Sequence, residues 1–286
     1  MSHMFPFSNV HTHTVFSDGK NTAEEMVRAA LAAGFTSLGF SDHGHSPWDV
    51  CGMRLEDEPL YRAEVRHLKE KYAGEIELAL GYEHDATAPD TDLSVYDYAI
   101  ESVHFVHADG GFVSVDESAD ALRRHIEAYF GGDPYRMARD YFDNVAEALS
   151  RTAALVAGHI DLVTKFNEDG RMFDTEDPRF SKPAMECVRI AAERGMLVEI
   201  NTGAMSRGYR TAPYPSEALL KQLNALGGRI TITSDCHRAE WISFGFDRAC
   251  ALAQACGFRS VWIWKDGGFR EMPLQDTFDH KGRYAP

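Results

Sequence analysis

The most constraining feature of this chain is a repeated coincidence: six separate β-rich runs each finish on histidine, aspartate or glutamate. The first run passes through Asn9-Val10 into His11-Thr12-His13, and the second, residues 37–40, into Ser41-Asp42-His43-Gly44-His45. The third, residues 76–81, leads to Tyr82-Glu83-His84-Asp85, and the fourth, Tyr98-Ala99-Ile100, to Glu101-Ser102-Val103-His104. The fifth, Leu155-Val156-Ala157, ends in Gly158-His159-Ile160-Asp161, and the seventh, residues 230–233, in Ser234-Asp235-Cys236-His237. Taken singly, each cluster reads as a capped turn or a satisfied core polar group. Six together do not, because the carboxyl ends of parallel strands are where α/β barrels build active sites. His11 and His13, like Asp235 and His237, stand two apart and would point the same way from a strand.

Helical patterns separate these runs, and that alternation predicts βα units around a parallel sheet. Thr22 and Glu25 form a capping box, with Gly34 where the helix would stop. Pro134 opens a second helix whose apolar positions Ala138, Tyr141, Phe142, Val145 and Leu149 recur at helical spacing as far as Arg151. Phe130-Gly131-Gly132-Asp133 reads as the turn before it, and residues 216–226, ending in Gly227-Gly228, as a further helix. With Leu197-Val198-Glu199-Ile200 as the sixth, the runs number seven in a chain of 286 residues, a size that suits one α/β barrel as a single domain. An open doubly wound sheet would show the same alternation. An eighth run, Ser260-Val261-Trp262-Ile263-Trp264, is expected as a C-terminal extension turning at Gly267-Gly268, with Trp262 and Trp264 on one face of a buried strand.

Imidazoles with carboxylates suit Zn, Mn, Fe or Co better than Ca or Mg. Cys236 alternates between Asp235 and His237 and should face away from them. Five cysteines, an odd number with no C-x-x-C pair, argue against a disulfide framework or a four-cysteine zinc site. A formal charge of −15 without a basic stripe argues against nucleic acid as a partner. No apolar run approaches the roughly 20 residues of a membrane span. The N-terminus lacks the features of a secretory signal, so a cytoplasmic enzyme is expected. Ser2-His3-Met4 resembles a cloning scar, which puts the expected start at Met4.

In order and in type, the motifs at 11–13, 41–43, 81–83, 101–104, 158–161 and 234–237 resemble those of the polymerase and histidinol phosphatase (PHP) superfamily. The resemblance spans nearly the whole chain. Residues 98–105, 158–163 and Glu199-Ile200-Asn201-Thr202 followed by Pro213-Tyr214-Pro215 favour the histidinol-phosphatase-like branch. It implies a distorted seven-stranded (β/α) barrel, TIM-barrel-like, and two or three divalent ions (Zn, Mn or Fe). His11, His13, Glu83 and Asp235 would hold one ion, and Glu83 would bridge to a second held by His104 and His159. Asp18, His43 and His237 would hold a third. Glu83, Asp235 and His237 would then sit at the centre of catalysis, where a hydroxide bridging the ions attacks the phosphorus of a small phosphomonoester, histidinol phosphate first among them.

A guanidinium fork matches phosphate oxygens, which makes Arg207 the first candidate for the phosphate, followed by Lys165 and Arg210. Lys165 stands where the resemblance implies an arginine. The proton for the leaving group is left open among Asp42, Asp161, His45 and His84, while His107 and His125 read as peripheral. Trp48, Cys51 and Met53 lie over the mouth and read as lid packing. The substrate could instead be a nucleotide or sugar phosphate; a PHP-type nuclease and a non-catalytic metal module are the other readings. An acidic residue facing a substrate ammonium would favour histidinol phosphate, and none can be placed from sequence. The oligomeric state is left open.

Overall fold

The computed structural model describes residues 7–88 and 91–274, so the expected start at Met4 lies outside the described residues. In chain order the elements are β1 (Phe7–Asn9), α1 (Ala23–Ala32), β2 (Phe35–Phe40), α2 (Glu58–Lys71), β3 (Glu77–Leu80), β4 (Glu83–Asp85) and β5 (Ile100–Ser102). They continue with β6 (Phe105–Ala108), β7 (Gly111–Ser114), α3 (Ala119–Tyr129), α4 (Pro134–Arg151), β8 (Val156–Ala157), α5 (Pro178–Glu193) and β9 (Leu197–Asn201). The last are α6 (Gly203–Ser206), α7 (Glu217–Ala225), β10 (Arg229–Thr233), α8 (Phe246–Ala255), β11 (Ser260–Lys265) and β12 (Gly268–Pro273). No helix among the described residues is long and apolar enough to cross a membrane.

Local chemistry starts and stops the helices as the sequence predicts. Thr22 Oγ1 accepts from Glu25 N–H, and the Glu25 carboxylate accepts from Thr22 N–H at 2.8 Å, which caps α1 at both orphan donors. Pro134 opens α4, whose face Ala138, Tyr141, Phe142, Val145 and Leu149 is buried. The repeat of that face drives α4 onto its neighbours, since apolar burial is the main source of helix stability in a folded chain.

The result is an α/β fold with parallel sheets. One sheet has the order β1-β2-β3, the other β10-β9-β8-β5-β4, and every ladder in both is parallel. The expectation of one closed barrel needs correction at this level: the ladders do not close a ring. The third predicted run is two strands, β3 and β4, one in each sheet. Beyond the ladders the chain leaves regular pairing where it turns histidines inward. The isolated parallel bridges Thr12–Cys236 and His43–Glu83 join the sheets there. Single bonds such as His13 N–H to the Cys236 carbonyl (3.0 Å) and Gly44 N–H to the Glu83 carbonyl (2.9 Å) carry the contact.

At the opposite end, a small apolar cluster of Val10, Ala79, Tyr98, Ile100, Val156, Leu197 and Trp264 fills the space between the sheets. The eighth run is β11, paired antiparallel with β12, with Asp266 and Gly267 in the turn. Trp264 lies on this cluster, tied by its N–H to Ser8 Oγ and by its carbonyl to Ser37 Oγ. Trp264 is buried as expected, whereas Trp262 is only half-buried. Tyr98 threads between the sheets, and its hydroxyl donates to the Val10 carbonyl at 2.5 Å. Any side chain at position 81 would collide with it, because a Cβ there would lie 2.2 Å from the Tyr98 ring. Tyr98→Phe would remove this donor from the buried Val10 carbonyl, at a cost of about 1–3 kcal/mol. Urea denaturation should show a lower midpoint at unchanged slope; an unchanged midpoint would contradict this assignment.

Candidate metal centre

The β-rich runs place their polar ends on one side of the fold. His11 and His13 follow β1, His43 follows β2, Glu83 opens β4, His104 follows β5, His159 follows β8, and Asp235 and His237 follow β10. Asp18 sits on the loop between β1 and α1, which Asp42 holds in place: its carboxylate accepts from Thr14 N–H at 2.7 Å and Ser17 Oγ at 2.6 Å. All nine sequence-predicted ligands, His11, His13, Asp18, His43, Glu83, His104, His159, Asp235 and His237, thus meet at one centre.

Glu83 is the hub. Its Oε2 lies 3.2 Å from His11 Nε2, 2.8 Å from His43 Nδ1 and 3.6 Å from His13 Nε2. Its Oε1 lies 3.2 Å from His159 Nε2 and 3.7 Å from His104 Nε2, and it accepts from Ser102 Oγ at 2.6 Å. Burial alone would raise the carboxyl's pKa, but His11 and His43 outweigh it and hold it well below the usual range. The same contest runs in the imidazoles. Burial, with His237 and His43 nearby, pushes His13 down to about 3, whereas at His43 the Glu83 carboxylate overcomes burial and lifts it to about 10. Asp18 Oδ1 is 3.0 Å from His237 Nε2 and 3.9 Å from His43 Nε2.

Asp235 takes a left-handed backbone conformation, φ 44°, which Asp tolerates better than most residues. The kink leaves Cys236 buried in the apolar core, away from the cluster, and burial pushes its thiol up to about 12. Asp235 Oδ1 faces His13 Nε2 at 3.1 Å, while Oδ2 accepts from Arg207 Nη2 at 3.2 Å. Position 203 must be glycine for this approach, since a Cβ would come within 2.7 Å of Asp235 Oδ2.

The donor set fits divalent ions. His11 Nε2, His13 Nε2, Asp18 Oδ1 and Glu83 Oε2 are buried close to one another's ring nitrogens and carboxylates without a well-aligned hydrogen bond, a costly arrangement for polar atoms that crowd together. Three groupings bring ligand atoms within 4.8 Å of one another: His13, Asp18, His43 and His237; His11, His13 and Glu83; and His43, Glu83 and His104. These divide the predicted ligands differently from the expected scheme, because His13 and His43 each reach two groups.

A cleft of about 700 Å³ opens over the cluster. Arg207 reaches it from the end of α6, where its Nη1 donates to His237 Nδ1 at 3.0 Å. Lys165 reaches it too but is paired with Asp116 at 3.0 Å. Arg210 does not: it turns to the Thr164 carbonyl and the Tyr214 ring, in a separate depression. The four candidate proton donors also lie off the cleft. Asp42 caps the Thr14–Ser17 turn, Asp161 accepts from Ser216 N–H, His45 faces the Met53 carbonyl, and His84 packs on Glu101. His125, expected at the periphery, lines the cleft, as do Trp48 and Cys51, whereas Met53 is core. Asp49 and Glu117 supply the acidic lining that the sequence could not place.

Sequence reasoning passed over two further carboxylates. Asp85 stands two residues beyond Glu83 on the same strand and accepts from His104 Nδ1 at 3.0 Å. Glu199, a charge inside a wholly buried strand, accepts from His11 Nδ1 at 2.8 Å. Spacing in the first case and burial in the second were the available signals.

The family model described as PHP domain matches residues 9–203, well over half of the chain. A protein of Schizosaccharomyces pombe described as a probable histidinol-phosphatase is 25% identical over 91% of this chain and 89% of its own. One of Deinococcus radiodurans with the same description is 29% identical over 88% of this chain and 94% of its own. The fold matches the crystal structure of a histidinol phosphate phosphatase from Lactococcus lactis in complex with zinc, L-histidinol and phosphate. That match has a TM-score of 0.68 and 21% identity, and covers 92% of this chain and 98% of the other.

If Glu83 is the shared ligand, Glu83→Gln should lower bound zinc or manganese far more than His84→Gln, because the His84 ring is turned to Glu101, which is not among the predicted ligands. Metal content by mass spectrometry after gel filtration checks this; equal losses would overturn the assignment.

Proposed function

The chain belongs to the PHP domain family, and from that premise we propose that it is a metal-dependent phosphomonoester hydrolase whose substrate is histidinol phosphate. The observation that carries the reading is the Glu83 carboxylate ringed by five imidazoles beneath an open cleft. The names of the relatives support the substrate, and so does the chemistry of the cleft. Asp49 and Glu117 offer negative charge to a cationic amino alcohol in the same cleft that His43, His104, Asp235, His237 and Arg207 line.

His11, His13, Glu83 and Asp235 would hold one ion, Glu83 with His104 and His159 a second, and Asp18, His43 and His237 a third. Zinc, manganese or iron suits these donors. When bound, such ions supply Lewis acidity and lower the pKa of water to about 7. The protein's own part is positioning. Arg207 offers a planar fork whose Nε is buried without a partner and whose Nη atoms already face the cluster, the geometry that suits a phosphate. Lys165 contributes a point charge that is shared with Asp116. Trp48, against the Phe112 ring, narrows the mouth.

We read the two parallel sheets as one distorted seven-stranded barrel within a single domain. In that reading β3 and β4 act as one strand, and the bridges at Thr12–Cys236 and His43–Glu83 are its seams. The five cysteines are unpaired, in keeping with a cytoplasmic setting.

Purified protein with added zinc or manganese should release phosphate from L-histidinol phosphate faster than from nucleoside monophosphates or sugar phosphates. Chelation should abolish release and metal should restore it. Release from the other monoesters alone would keep the hydrolase and discard the substrate; silence from a metal-loaded protein would overturn both. Arg207→Ala should lower kcat/KM roughly 10- to 150-fold, the worth of a charged hydrogen bond, without removing metal. An unchanged kcat/KM would remove Arg207 from the phosphate site.

A further inference from the structure

Glu199 lies on β9 with its side chain wholly buried between the ends of β8 and β10, and its carboxylate is saturated. Oε2 accepts from His11 Nδ1 and Thr233 Oγ1, both at 2.8 Å; Oε1 accepts from His159 N–H at 2.6 Å and Asn201 Nδ2 at 2.9 Å. An ionised carboxylate offers about four lone-pair positions and no donor, so all of them are taken. That leaves His11 no choice. Its Nδ1 must carry a proton, and the ring nitrogen free to offer a lone pair is Nε2, which faces Glu83 at 3.2 Å and Asp235 at 3.8 Å.

We propose that Glu199 is a positioning residue for the metal centre: it fixes the tautomer of His11 and, with its other oxygen, sets the backbone that carries His159. The inference rests on the metal-dependent reading above. One carboxylate thereby aligns groups from three neighbouring runs, those of β1, β8 and β10. Partners of this kind on a ligand's second ring nitrogen orient the ring and raise its basicity. A glutamine cannot replace it. Its amide has one acceptor oxygen and one donor nitrogen, so either His159 N–H meets an N–H, or His11 Nδ1 must become an acceptor. In the second case the proton moves to Nε2, pointing where an ion would sit.

The test is zinc affinity, measured by competition with a chromophoric chelator, in the wild type, Glu199→Gln and Thr233→Val. The glutamine variant should bind zinc about 10- to 100-fold more weakly. Thr233→Val removes a donor to the same oxygen but leaves the tautomer alone, and should lose much less. Nitrogen-15 spectra of histidine-labelled, zinc-loaded wild type supply a second readout that needs no variant: His11 should carry its proton on Nδ1. Zinc binding by the wild type with equal affinity in Glu199→Gln would overturn the role of Glu199. So would an equal loss in Thr233→Val, which would make the effect one of packing, or a proton on His11 Nε2. A wild type that binds no zinc would instead overturn the metal-centre reading itself.

Discussion

Everything at this centre depends on keeping one carboxylate, Glu83, ionised among five imidazoles at the bottom of a cleft. A lone buried charge is expensive, and a cluster of buried donors without partners is as well. The fold answers both by bringing the groups to one point from different strand ends, so that each offsets its neighbour. This explains the irregular backbone nearby. The regular ladders give way to isolated bridges and to the left-handed Asp235 where the alternate residues His11 and His13, and Asp235 and His237, turn toward the cluster while Cys236 between the latter pair stays in the core. The ladders end where the chemistry begins.

A second tier of carboxylates holds the first in place. Glu199 meets His11, Asp85 meets His104, and Asp42 secures the loop that carries Asp18. Each accepts several hydrogen bonds, which orient it beneath the cluster. Part of the chain's charge of −15 is therefore not surface charge at all, because these acids are buried and paired. The opposite end of the fold is sealed by apolar means, with Tyr98 and Trp264 closing the space beneath.

Much of this was legible in the sequence, because it is written locally. Strand ends, caps and ligand residues each occupy a few consecutive positions, and the i, i+2 pairs announced shared faces. The C-terminal strand was also visible in its alternation, although the turn after it falls at Asp266-Gly267, one residue earlier than Gly267-Gly268. What was not legible depends on distant packing. The third run divides between two sheets because its neighbours differ on either side of Gly81. Arg207 and Arg210 lie three residues apart after the same strand, yet only Arg207 enters the cleft. The turn at the end of α6 rotates Arg210 toward Thr164 and Tyr214. Lys165 is drawn to Asp116, a residue from the far side of the β6–β7 hairpin that no local pattern connects to it. The candidate proton donors lie off the cleft for the same reason: standing next to a ligand in sequence does not place a side chain in the cleft.

The most direct test of the account is anomalous scattering at the absorption edge of the bound metal, from crystals of the zinc- or manganese-loaded protein. The account predicts at least two peaks sharing the Glu83 carboxylate, one on the side of His11 and His13 and one on the side of His104 and His159. A single peak ligated without Glu83, or none in the cleft, would contradict it.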